Sequence, residues 1–102
     1  MGRIRYSVVQ ENGQEVVKEI HKVVVHQFSM SDVEDPDLYA AEPLYQWQQT
    51  EAGKFVMNNA VDTPIWHRHN DFASYSYVYA VTAELEKKKL SEFYLRFGKP
   101  IK

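Results

Sequence analysis

The sequence predicts an α+β fold: an antiparallel sheet of four to five strands, made of two β-hairpins, packed against a central interrupted helix. Three observations predict it. Asn12-Gly13 joins two runs rich in Ile, Val and Tyr, and Asn-Gly is the strongest short hairpin signal because both turn residues need positive φ. Residues 36–59 read as helix, from Asp35-Pro36 to Asn58-Asn59, with Asp suited to the cap and Pro to the first helical position. Residues 72–85 alternate large apolar with small or polar side chains, the period of a strand facing a core on one side. Strands on both sides of one helical segment define the α+β class. At 102 residues, 44% hydrophobic and 25% charged, the chain has room for a single domain, 1–102, and a single core.

In chain order, Arg3–Gln10 is the first strand and Glu15–Met30 its return. Strict alternation puts Ile20, Val24, Phe28 and Met30 on one face with Lys22 and His26. Val17, Val23 and Val25 lie on the other face with His21. Apolar residues on both faces mark Val23–Val25 as a central stretch. The helix is expected in two pieces, 36–41 and 43–59, because the residue before Pro43 is pushed out of the α region. Gly53 marks a further kink, at about 1 kcal/mol relative to alanine. Leu44, Trp47, Phe55 and Val56 are the buried candidates. Val61–Pro64 is a loop and Ile65–Asn70 a short strand, with a turn or bulge at Asn70-Asp71. In the strand Phe72–Leu85, Tyr75, Tyr77, Tyr79, Val81, Ala83 and Leu85 share a face. Glu86–Lys89 is then a turn, and Leu90–Phe97 a returning strand with Phe93, Leu95 and Phe97 inward. A rival reading makes 82–91 helical, since Ala-Glu-Leu-Glu-Lys-Lys-Lys-Leu is rich in helix formers.

Composition narrows the chemistry. With no cysteine, disulfides, thiolate zinc sites and cysteine nucleophiles are excluded. No signal peptide is expected after Met1-Gly2-Arg3-Ile4-Arg5, and no run approaches the ~18 apolar residues of a membrane span. The expected setting is the cytoplasm, with no membrane association. A net charge of −2 does not call for nucleic acid, but the charge is segregated. Residues 31–53 carry Asp32, Glu34, Asp35, Asp37, Glu42 and Glu51 and no Lys or Arg, whereas residues 84–102 carry six bases against three acids. Segregation of this kind steers a partner or a second copy.

No phosphate-binding glycine loop, nucleophile elbow or nucleophile–base set is present, so neither a cofactor nor a catalytic residue is assigned. Two alternatives carry named residues. His67 and His69 project to one side of a strand, as two imidazoles on one metal would, with His26 or Asp71 to complete the set. Tyr75, Tyr77 and Tyr79 resemble the stacking platform of single-strand nucleic-acid binders, yet the strand has no basic residue before Lys87. The favoured surface is the acidic, aromatic and proline-bearing stretch from Asp32 onward. Asp35, Asp37, Tyr39, Tyr45 and Trp47, joined by Tyr75 and Tyr77, are its partner-binding candidates.

The series Asp-Val-Glu-Asp-Pro-Asp-Leu-Tyr-Ala-Ala-Glu-Pro-Leu (32–44), Trp47, Thr50-Glu51-Ala52-Gly53-Lys54-Phe55-Val56-Met57 and Pro64-Ile65-Trp66-His67 resembles small uncharacterised proteins of tailed bacteriophages. The resemblance covers about residues 23–97. It implies an accessory protein working inside a bacterial host and transfers no catalytic or binding residue. The expectation is thus a non-catalytic protein-interaction or self-associating module whose partner is a protein, such as a host factor, or a second copy.

Overall fold

The computed structural model describes residues 3–31, 33–73 and 76–100. The order is β1 (Arg3–Glu11), β2 (Gln14–Ser31), α1 (Pro36–Gln49), α2 (Glu51–Asn59), β3 (Ile65–Asp71), β4 (Ser76–Glu86) and α3 (Lys87–Phe97). The four strands form one antiparallel sheet in the order β1-β2-β4-β3. The α+β class, the two hairpins and the interrupted helix are as the sequence predicts.

β2 is the spine. Its first half pairs with β1 from Glu11↔Gln14 to Arg3↔Lys22, and its second half pairs with β4 from Ile20↔Glu86 to Ser31↔Ser76. Asn12 and Gly13, at φ 53° and 78°, make the tight turn, which L-residues other than Asn and Asp rarely accept. The register shifts between Val24 and His26. A bulge leaves one residue extra, so the parity of inward and outward side chains changes there. Val23 and Val25 face the helices, and so do His26, Phe28 and Met30. Val24 lies opposite Thr82 on the other face. The expected grouping of Phe28 and Met30 with Ile20 and Val24 is therefore corrected: strict alternation ends at the bulge.

All three helices cover one face. The core joins Val23 and Val25 to Tyr79, Val81, Ala83 and Leu85 of β4, Ala40, Leu44 and Trp47 of α1, Phe55 and Val56 of α2, and Leu90 and Phe93 of α3. On the opposite face Val78, Ala80 and Thr82 are buried although no helix lies over them. β4 is central there, and its short side chains lie between rows from β2 and β3, where Gln27 and His67 flank Ala80.

Two boundaries differ from expectation. The helix does not break at Pro43, which lies inside α1. Ala40, Leu44 and Trp47 share a buried face across it, and burying that face outweighs one lost backbone hydrogen bond. Nor does Gly53 break the helix. The break is at Thr50, whose backbone is extended. Its hydroxyl donates to the Trp47 carbonyl at 2.6 Å and accepts from the Gly53 amide at 3.0 Å, capping α2. Gly53 is required by contact instead, since a Cβ there would stand 1.8 Å from the Trp47 carbonyl oxygen.

The larger correction is at the C-terminal end. Leu90–Phe97, expected as a strand, is helix α3. Leu90, Phe93 and Phe97 recur at helical spacing; Leu90 joins the core, and Phe93 and Phe97 pack on Phe55 with ring centroids 6.2 Å and 5.8 Å away. Leu95, expected inward, is 88% exposed. Gly98, at φ 89°, ends the helix as its amide donates to the Tyr94 carbonyl. The second hairpin is β3–β4, and β4 begins at Ser76 rather than at Phe72, which is exposed beyond the end of β3.

Candidate functional site

The first turn of α1 is tied to the sheet by one carboxylate. Asp37 Oδ1 accepts from the Tyr79 hydroxyl at 2.6 Å and from Arg68 Nη1 at 3.0 Å. Asp35 precedes it at φ 53° and makes no side-chain cap; Pro36 supplies the first helical residue. The Arg68 guanidinium lies 5.1 Å from the centroid of the Tyr77 ring, a cation–π contact. Tyr79 is fully buried. Burial raises its phenol above the ordinary value, the Asp37 bond adds to that, and Arg68 opposes it.

Along α1 from that anchor, a cleft of about 260 Å³ opens between α1, the end of α2 and β3. Asp37, Ala41, Tyr45 and Gln48 line it from α1, following the helix repeat. Met57, Pro64 and Trp66 form the opposite wall, and Trp47 and Val81 are deeper. Tyr45 and Trp66 are 63% and 45% exposed, whereas Trp47 is 7% exposed. Trp47 stacks on His26 with centroids 5.3 Å apart and planes at 14°. The bulge turns His26 toward the helices, and burial lowers its pKa from 6.5, favouring the neutral ring.

The residues singled out from sequence separate into groups. Asp37, Tyr45 and Trp47 meet at the cleft, with Trp47 as floor rather than contact. Tyr77 is half-buried beside the Asp37–Arg68 pair. Tyr39 and Asp35 are exposed but do not line the cleft. Tyr75 lies outside the described residues. Trp66 and Arg68 were not among the partner-binding candidates. Their signal was an apolar indole and a guanidinium alternating with histidines in an otherwise polar strand, which places both on the helix-side face.

Among the described residues, the histidines and tyrosines of the other two constellations lie as follows. His67 and His69 share the helix-free face and are exposed. His26 is on the opposite face, against Trp47. Among the described residues no three His, Asp or Glu side chains lie close enough to hold a metal ion. Tyr79 is stacked on Phe28 at 5.2 Å and has no face open to a base. No helix among the described residues is long and apolar enough to cross a membrane.

The cleft can receive a bulky apolar side chain between two exposed aromatics, with a carboxylate at one end. Compared with family models, curated proteins and solved structures, the chain matches none of them.

Proposed function

We propose that this chain is a non-catalytic protein-interaction module that takes an apolar anchor residue of a protein partner into the cleft between α1 and β3. The observation that carries the reading is the pair Tyr45 and Trp66, both substantially exposed, facing one cleft over a buried tryptophan. Exposed aromatics around a pocket are the side chains that dominate binding energy at protein interfaces. Glu34, Asp35 and Glu42 lie on the same segment as Asp37, whose charge Arg68 pairs, with no Lys or Arg between residues 31 and 53. The fitting partner therefore carries Lys or Arg around its apolar anchor. The resemblance to tailed-phage proteins extends the proposal to a host bacterial protein as partner and the host cytoplasm as setting.

The test is selection of binders from a random peptide library, followed by titration of the selected peptides against wild type, Tyr45→Ala and Trp66→Ala. Selected peptides should share a large apolar residue flanked by bases, and each substitution should weaken them by about tenfold or more. Selected peptides without that pattern, or titrations indifferent to both substitutions, contradict the reading.

A further inference from the structure

β1 is an edge strand of nine residues, and nothing among the described residues pairs with its outer side. The turn fixes which backbone groups are open. Glu11 and Gln14 flank Asn12-Gly13 and oppose one another. In a two-residue hairpin that flanking pair exchanges both backbone hydrogen bonds, and every second pair does so after it. Arg3, Arg5, Ser7, Val9 and Glu11 therefore turn their N–H and C=O groups toward β2. Ile4, Tyr6, Val8 and Gln10 turn theirs outward. A long edge without proline, bulge or cover is a template for another strand. The other edge is better guarded: β3 has seven residues, follows Pro64 and carries Arg68, Asp71 and two histidines.

We propose that β1 pairs antiparallel with β1 of a second copy of this chain, about a two-fold axis at Ser7, joining two four-stranded sheets into one of eight. The interface is separate from the cleft and deepens the reading of the chain as an interaction module by naming a second copy as one partner. The strand is self-complementary in that register. All nine residues pair, and outward backbone groups meet outward groups: Tyr6 opposite Val8 of the second copy, and Ile4 opposite Gln10. Arg3 falls opposite Glu11 of the second copy at both ends, where Glu11 also holds Lys18 of its own hairpin at 2.9 Å. Opposite charges and aromatic–β-branched pairs are the favourable cross-strand combinations. The pairing also brings together the side chains on the uncovered helix-side face of the hairpin, where Ile4, Tyr6, Val8 and Val17 are 55%, 66%, 62% and 64% exposed. Centring on Tyr6 instead sets Arg3 against Val9 and so loses the pairing of Arg3 with Glu11. Centring on Val8 sets Arg3 and Ile4 against the turn residues Gly13 and Asn12, where the strand has already ended.

One strand pair is a small interface, so the dissociation constant should be on the order of micromolar. Sedimentation equilibrium of the full chain should show a mass rising with concentration from 12.0 kDa toward twice that value. Arg3→Glu and Glu11→Arg each set like charges opposite one another in a homodimer, so each alone should associate about tenfold more weakly. An equimolar mixture of the two should regain association, because acid then meets base at both ends. Val8→Pro removes an outward N–H without touching the β1–β2 ladder, so it should keep the circular dichroism spectrum and lose the dimer. Wild type that stays monomeric at about 100 µM, a mixture no tighter than its components, or a dimer that survives Val8→Pro overturns the proposal. Tyr45→Ala and Trp66→Ala should leave this dimer unchanged, so failure here and failure of the cleft reading are told apart.

Discussion

The Tyr79 hydroxyl reaches across 42 positions of sequence to donate to Asp37 Oδ1 at 2.6 Å. The bond fixes the first turn of α1 to the central strand and so sets one end of the cleft. Tyr79→Phe should cost about 0.5–1.5 kcal/mol, since the ring stays and Asp37 keeps Arg68. Asp37→Ala should cost more, about 1–3 kcal/mol, because a buried hydroxyl and a guanidinium both lose their carboxylate. Urea unfolding of the two variants checks the order; a costlier Tyr79→Phe contradicts it.

His26 links stability to pH. Burial holds its folded pKa below 6.5, so the unfolded chain takes up the proton first. Stability is then unaffected well above pH 6.5, falls as pH drops below it, and levels off once the folded ring also protonates. His26→Phe should flatten that limb of the profile. The Glu84 carboxyl, held low by its hydrogen bond and ion pair with Arg5, contributes a loss only below 4.5, so the two windows are separable. An unchanged slope below pH 6.5 in His26→Phe contradicts the assignment.

Gly53 tests the α1–α2 crossing. Gly53→Ala would ordinarily favour a helix, but here the new Cβ meets the Trp47 carbonyl. A loss of about 1–3 kcal/mol is expected in thermal or urea unfolding, as for an overpacked core. A gain in stability would mean that the two helices are not in contact at that point.

α3 makes opposite demands of neighbouring residues. Leu95→Glu should change stability by no more than about 0.5 kcal/mol, because Leu95 is exposed. Phe93→Ala should cost about 3–5 kcal/mol. A returning strand would have made both severe, so paired unfolding curves decide between the two structures.

The first hairpin and β4 were legible because Asn12-Gly13 and the alternation from Tyr77 to Leu85 are local signals. α3 was not. Lys87, Lys88 and Lys89 oppose the helix dipole at its first turn, and Phe93, Leu95 and Phe97 read equally well at period two. The deciding fact is tertiary: Phe55 receives Phe93 and Phe97 but not Leu95. The bulge at Val24–His26 leaves no mark in the sequence beyond apolar residues on both faces, yet it alone turns His26 toward Trp47. For the cleft, Asp37, Tyr45 and Trp47 were readable as an acidic, aromatic helix. Its second wall, Trp66 and Pro64, lies in a segment where the alternating histidines are the more conspicuous signal.

The most direct measurement is an NMR titration of the ¹⁵N-labelled chain with a peptide bearing one phenylalanine among lysines and arginines, alongside its alanine counterpart. The phenylalanine peptide should shift the Trp66 indole N–H and the backbone amides of Tyr45 and Gln48, leave those of β1 in place, and lose these shifts when alanine replaces phenylalanine. Shifts confined to other surfaces, or equal for both peptides, would contradict the cleft as the binding site.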